Sequence, residues 1–407
     1  MKTDIVIAGG GMVGASLALA LAQLGFDITL VEAAPLKTGG SPSFDDRTTA
    51  LSNGSRRIME GLGVWPLVRH EATPIHKIHV SDRGRFGFAR IDAAELDLDS
   101  LGFVIANRAL GAGLWQRLEA SGVRVLAPAR VVDYDVTAEG CEVRLEGDAA
   151  GSEPVHCRLL VAADGAQSAV RKSAGVESST WDYEQTALTA NLTTQVFHNH
   201  VAYERFTPQG PIALLPFVEG RVGLVWTLAP EDAAETLALP DAEFLERLQQ
   251  AFGMRLGRFL TVGKRQGYPL ALTRAEEQVT DRVVILGNAA QGLHPIAGQG
   301  FNLGLRDAAC LAEVLADART VSGAAVDPGA AALLEQYRAW RQEDRRRIVA
   351  FTDGLVRVFR QPFAPIRLLR DIALLAFDLS PQAKQAMSQL SLGAAGRIPR
   401  LARGAPL

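Results

Sequence analysis

Cysteine is scarce in this sequence. Among 407 residues only Cys141, Cys157 and Cys310 occur, and none of them form a CxxC pair. That composition excludes a disulfide framework and a thiolate zinc site, and fits three core thiols in a reducing cytoplasm. Charge of one sign is also scarce. The net charge of −3 gives no reason to expect nucleic acid as a partner. Long uncharged apolar runs are missing. The first thirty residues are apolar, but an early Asp4, five glycines, Gln23 and Asp27 interrupt them, which does not fit the pattern of a signal peptide. No other segment reaches the roughly 18 apolar residues of a spanning helix. A soluble or peripheral protein is expected. No HExxH and no Ser-His-Asp arrangement is found, so zinc and hydrolase readings lack support.

What is present is ordinary globular material, 48% hydrophobic and 21% charged, in a chain long enough for two or three domains. "DIVIA" and "ITLVE" read as buried parallel strands, with "MVGASLALALAQLG" between them as a helix ending at Gly25, a residue suited to that position. Residues 107–120 read as another helix, "VRVLA" as a third parallel strand, 131–146 as antiparallel strands, and "RLLVAADG" as a returning strand. From 186 to 228 the pattern alternates, with Val222, Leu224 and Trp226 on one face and Gly223 and Val225 on the other. A helix over 240–252, capped by Asp241, follows, and "RVVILG" restores parallel-strand character. The predicted fold is α/β: a Rossmann-like dinucleotide domain (1–75, 100–180 and 275–330) interrupted by an antiparallel-sheet domain (76–99 and 181–274). A helical, arginine-rich C-terminal region (331–407) ends the chain. Within it "IRLLRDIALLAF" is apolar nearly all round but too short to span a bilayer. It reads as a helix packed on the body or as a contact with a membrane or partner.

Gly9-Gly10-Gly11-Met12-Val13-Gly14 places GxGxxG between strand and helix. Gly9 permits the tight turn, Gly11 lets a pyrophosphate approach the backbone, and Gly14 lets helix and strand pack closely. Glu32 ends the second strand, where its carboxylate would accept hydrogen bonds from ribose hydroxyls. A second glycine-rich connection, "GNAAQGLHPIAGQGFNLGLRD", lies between a buried strand and a helix. It is longer than a plain connection requires.

The motif "ADGAQSAVR" resembles the Asp-Gly motif of the flavoprotein aromatic hydroxylases, and the second glycine-rich stretch resembles their second FAD motif. With GxGxxG, the three occur in that family's order and spacing; "DDRTTALS" and "NRALGAGLWQRL" match as well. The stretch "GNAAQ…HPIAGQGFNLGLRD" is similar to the ubiquinone-biosynthesis hydroxylases within this family, most closely the 2-polyprenyl-6-methoxyphenol hydroxylases. The resemblance covers residues 4 to about 320, and "TDGLVRVF…APIRLLRDIALLAF" adds weaker support.

The resemblance implies FAD as cofactor, held by Gly9, Gly11, Met12, Val13, Gly14, Glu32, Arg47, Arg108, Asp164, Gly165, Asn288, Gly298, Gln299, Gly300, Phe301 and Asn302. Backbone N–H groups around Gly298, Gln299 and Gly300 would meet the charge of a reduced flavin, with Phe301 and Asn302 starting the helix. Asn288 stands where the wider family has Asp. Arg47 and Arg108 are read as FAD contacts or surface ion pairs, and Arg171 as held by Asp164 or phosphate, or as solvated. Pro295 would lie near the flavin ring. His294 is either a general base or a turn histidine bonded to backbone, the second carrying more weight. Phe217 and Trp226 are read as substrate lining or, with more weight, as core.

The implied activity is ring hydroxylation of a polyprenylated phenol in ubiquinone biosynthesis through a flavin C4a-hydroperoxide, with NAD(P)H as reductant and O₂ as co-substrate. A cytoplasmic protein is implied, peripheral at the inner face of the membrane and in contact with other ubiquinone-biosynthesis proteins. Hydroxylation of another ring position or a small phenol, and a FAD-holding scaffold with little turnover, stay open.

Overall fold

The computed structural model describes residues 1–36, 47–292, 299–322, 326–360, 373, 376–380, 382–385 and 397–407. Its first layer is a parallel sheet. Ile5–Ala8 lies between Ile28–Val31 and Leu159–Ala162, all in parallel register; Arg124–Leu126 extends one side and Val283–Ile285 the other. The residues of Ile5–Ala8, Ile28–Val31 and Leu159–Ala162 are all buried, which is why these segments read as unbroken apolar runs rather than alternations. The helices Met12–Gln23, Asn107–Glu119 and Gln299–Ser322 share one core with this sheet. The first ends at Gly25, whose φ of +76° suits a residue without Cβ.

The second layer is a nine-stranded sheet. Its centre is the long strand Ser178–Thr194, paired with Val222–Leu228 on one side and Gln266–Ala275 on the other. Gly210–Pro216, Val201–Thr207, Lys77–Asp82 and Phe88–Asp92 continue it. Residues 77–92 therefore join strands more than a hundred positions later in the chain. The two-residue strand Gln291–Gly292 adds to the other end, so one segment leaves the parallel sheet and at once enters the nine-stranded sheet.

The two faces of this sheet differ. Leu188, Ile212, Leu224 and Trp226 are buried beneath the helices Pro230–Ala238 and Asp241–Phe252. The opposite face meets the small sheet formed by Thr48–Leu51, Thr73–Ile75 and Gly102–Ala106: a Cβ on Gly223 would lie 2.6 Å from Thr48 Oγ1. Asp241 is not the cap expected of it. Pro240 occupies that position, and Asp241 accepts a hydrogen bond from Arg265 at 3.0 Å within the first helical turn. A carboxylate is favoured there by the helix dipole.

The long helix Ala331–Arg360 packs on Gln299–Ser322, and residues 397–407 return to the same helix. Glu313 accepts from the Arg400 N–H and from Arg397, and Trp340 Nε1 donates to the Arg397 carbonyl at 2.9 Å. No helix among the described residues is long and apolar enough to cross a membrane. Most of "IRLLRDIALLAF" lies outside the described residues.

Candidate active site

The first strand–helix turn is built from glycines with separate demands. Gly9 adopts φ +100°, and a Cβ there would lie 2.3 Å from the Ala163 carbonyl oxygen on the neighbouring strand. A Cβ on Gly14 would lie 2.0 Å from the Gly9 oxygen. Gly11, the residue before the helix, has nothing within 4 Å of the same position, so the approach to the helix N-terminus is open. Glu32 braces this turn: its two carboxylate oxygens accept from the Gly10 and Ala34 N–H groups, both at 2.7 Å. Each oxygen keeps acceptor capacity for a ribose. Trp115, buried on the helix Asn107–Glu119, donates from Nε1 to the Gly10 carbonyl at 3.1 Å. Trp115 was not among the expected site residues, and only its place in "NRALGAGLWQRL" hinted at it.

The second turn follows Leu159–Ala162. Gly165 has φ +87°, and Asp164 Oδ2 accepts from the Ala169 and Val170 N–H groups at 2.9 and 3.4 Å. The other oxygen, Oδ1, is buried without a partner. Arg171 is not solvated: it is 4% exposed and donates to the Ala289 and Ala166 carbonyls at 2.6 and 3.0 Å. It therefore fastens the Asp-Gly turn to the third turn.

That third turn begins at Gly287, with φ +54°. Val13, on the first helix, packs against Gly287 and Gly304, whose added Cβ atoms would lie 3.3 and 3.0 Å from Val13 Cγ2. The three turns thus converge on the start of one helix, although they lie far apart along the chain. Asn288 is exposed at this point. His294, Pro295 and Gly298 lie outside the described residues, as does the side chain of Gln299. The helix begins at Gln299, ahead of Phe301 and Asn302. Phe301 packs against the main core, and Gly300 has open space at its Cβ position.

The Asn302 side chain has a structural task. The residue is 3% exposed, accepts from the Ser52 N–H and donates to the Ala50 carbonyl, both at 2.9 Å. Its side chain ties the helix to the strand Thr48–Leu51. Arg47 stacks over the Tyr268 ring, 4.3 Å from its centroid, and bridges the two layers. Arg108 pairs with Glu71 at 3.6 Å. Phe217 and Trp226 are both core, each 2% exposed: Phe217 packs with Ile75, Val104 and Ala106, and Trp226 meets Phe244 edge-on on the helix-covered face.

Behind the third turn stands a buried ion network. Gln291 donates to Asp307 at 3.2 Å and accepts from Arg345 at 2.6 Å, while Arg341 meets Asp307 at 2.7 Å. Burial holds the Asp307 carboxyl above its ordinary range, against the pull of Arg341 and Arg345. Burial would lower Arg341, but Asp307 and its neighbours lift it well above the usual range.

The family described as FAD binding domain matches residues 2–352. The ubiquinone hydroxylase UbiL of Rhodospirillum rubrum is 37% identical over 99% of this chain and 93% of its own length. The 3-demethoxyubiquinol 3-hydroxylase of Escherichia coli is 32% identical over 96% of this chain and 98% of its own. This chain belongs to the FAD-binding hydroxylases of ubiquinone biosynthesis. As a member of that hydroxylase family it also shares a fold with p-nitrophenol 4-monooxygenase from Pseudomonas putida. The two superpose with a TM-score of 0.78 over 97% of this chain and 100% of the other, at 19% identity.

FAD fits the residues present. The open space before Gly11 suits a pyrophosphate at a helix N-terminus. The unpartnered Asp164 Oδ1 is an acceptor awaiting a donor. The exposed Asn288 amide adds a neutral donor and acceptor beside them.

Proposed function

We propose that this FAD-dependent aromatic monooxygenase hydroxylates the ring of a polyprenylated phenol of the 2-polyprenyl-6-methoxyphenol type, with NAD(P)H as reductant and O₂ as co-substrate. One observation carries the reading. The turn at Gly287 that joins the other two dinucleotide turns runs directly into Gln291–Gly292, a strand of the nine-stranded sheet. Cofactor cradle and sheet face are thereby held in register by one short segment.

FAD, when bound, supplies the electron transfer and oxygen activation. The chain's residues do the rest. Gly11 admits the pyrophosphate, Glu32 and Asp164 offer acceptors to ribose and adjoining groups, and Arg47 and Tyr268 close the layers against water. Arg108, Gly165, Asn288, Gly298, Gln299 and Gly300 are assigned to the same cradle, Pro295 to the neighbourhood of the ring, and His294 to the turn.

A long prenyl tail is nearly insoluble in water, so the substrate reaches a cytoplasmic enzyme from the membrane or from another ubiquinone-biosynthesis protein. The apolar, arginine-rich C-terminal region is the assigned contact.

Purified protein should take up FAD and show a flavin absorption band. NAD(P)H oxidation should rise on adding a prenylated methoxyphenol, with hydroxylated product formed in step. A protein that holds FAD but fails this coupling is a scaffold, and the reading falls. Mass-spectrometric profiling of quinone intermediates in a strain lacking the protein identifies the ring position.

A further inference from the structure

Glu204 lies in the middle of the strand Val201–Thr207. Its neighbours in sequence point to the helix-covered face: Tyr203 meets Phe252 edge-on at 5.9 Å, and Arg205 shares a rung with Ile212 and Trp226. Glu204 therefore points the other way, toward the cofactor domain. On its own rung stand Thr189, Val225, Ala213 and Val80, each from a different strand.

All five residues of that rung are half-buried, whereas their counterparts Leu188, Trp226 and Ile212 are 1%, 2% and 0% exposed. The rungs to either side are closed. Ala202 packs with Phe217, Val104 and Ala106 on one side, and Phe206 packs with Tyr183 and Leu270 on the other. The central rung is thus the open strip between two apolar clusters on the face turned to the cofactor domain, and it holds one carboxyl group. Among the described residues Glu204 has neither a hydrogen-bond nor an ion-pair partner. A half-buried carboxyl set among apolar neighbours and unpartnered within the chain is placed to accept from a ligand that supplies the donor.

We propose that Glu204 is a catalytic residue that accepts the hydrogen bond of the substrate's phenol hydroxyl and takes its proton. This rests on the reading of the protein as a phenol hydroxylase. In the transfer the phenol O–H bond breaks, its electron pair stays on the phenol oxygen, and a carboxyl O–H bond forms. The proton leaves later to water, and no oxidant is consumed. The phenolate directs electron density to its ortho and para carbons, which an electrophilic oxygen attacks.

Burial pushes the Glu204 carboxyl up to about 7, which makes it a better match for a phenol than an exposed carboxylate is. Few charges face it. Asp82 stands one rung further on the adjacent strand, and Arg47 stands over Tyr268 from the cofactor side. Arg205, His79 and Arg255 belong to the helix-covered face.

The test uses the full FAD-loaded chain and 2-farnesyl-6-methoxyphenol in detergent micelles. Glu204→Gln keeps the shape and should leave the FAD spectrum and FAD affinity unchanged. It should lower kcat by about 10²-fold at pH 8, the scale of general-base catalysis, and abolish the rise in rate near pH 7. A ring-fluorinated analogue that is already ionised at pH 8 should narrow the gap between variant and parent, which a structural role would not do. Glu204→Asp should recover part of the rate. If the parent turns over the phenol and Glu204→Gln matches it within twofold at every pH, the assignment is overturned while the functional reading stands. If the FAD-loaded parent turns over no prenylated phenol, both fall.

Discussion

Arg341 and Asp307 meet at 2.7 Å with neither side chain open to solvent. The pair joins the long C-terminal helix to the helix that starts at the flavin side, and Gln291 and Arg345 extend it to the third dinucleotide turn. Breaking one partner of such a pair strands a buried charge. Arg341→Ala should cost about 3–5 kcal/mol in urea unfolding. The double change Arg341→Met with Asp307→Leu should cost much less than the single one. Equal losses for the two proteins would show that the stranded charge is not the cause.

Gly11 and Gly14 separate cofactor binding from packing. Gly14→Ala drives a Cβ to 2.0 Å from the Gly9 oxygen. It should destabilise the FAD-free protein by about 1–3 kcal/mol, as overpacking does. Gly11→Ala meets no protein atom within 4 Å, so the FAD-free melting curve should stay unchanged while FAD affinity falls at least about tenfold, or about 1.4 kcal/mol. Calorimetry on both variants, with FAD titration, tests the contrast.

Asn288→Asp restores the acidic residue of the wider aromatic hydroxylases at an exposed position. A charged acceptor forms a stronger hydrogen bond than a neutral one, by about 1 kcal/mol. FAD should be retained through gel filtration at least as well as by the parent. A large drop in occupancy would mean that Asn288 meets FAD through its amide donor.

Glu204 also predicts a pH dependence of stability. Its folded-state value of about 7 exceeds the ordinary 4.5 because burial disfavours the charged form. Below pH 4.5 the carboxyl is neutral in both folded and unfolded protein. As pH rises from 4.5 to 7 only the unfolded chain releases the proton, so folding loses stability, by roughly 2–3 kcal/mol from the shift. The FAD-free Glu204→Gln protein should gain on the parent across that window in thermal melts. A parallel pair of curves would refute it.

Legibility in the sequence followed the range of the interactions. The parallel strands were readable because burial on both faces leaves continuous apolar runs, as in Ile5–Ala8. The glycine turn was readable because the turn itself needs a positive φ at Gly9 and Gly14 packs on the Gly9 oxygen within the same strand–helix unit. Arg171 was not readable. Its partners are the carbonyls of Ala166 and Ala289, and the second lies 118 residues away. Asp241 was misplaced by one position: the extended residue before the helix is Pro240, which offers no side-chain acceptor, and Asp241 is already helical.

That the three motifs belong to one dinucleotide site was implied by the family resemblance; by itself the sequence determined which segments are strands and helices and where the backbone must be glycine. These follow from side-chain period and local sterics, which a few adjoining residues set. Tertiary structure alone decided what Asn302, Trp115 and Glu204 do. Asn302 bonds to Ser52 across 250 residues of chain, and Trp115 to Gly10 across 105. Glu204 acquires its surroundings only when five strands align side by side. A polar side chain takes its role from the partners and the water around it, and folding, rather than sequence order, brings those together.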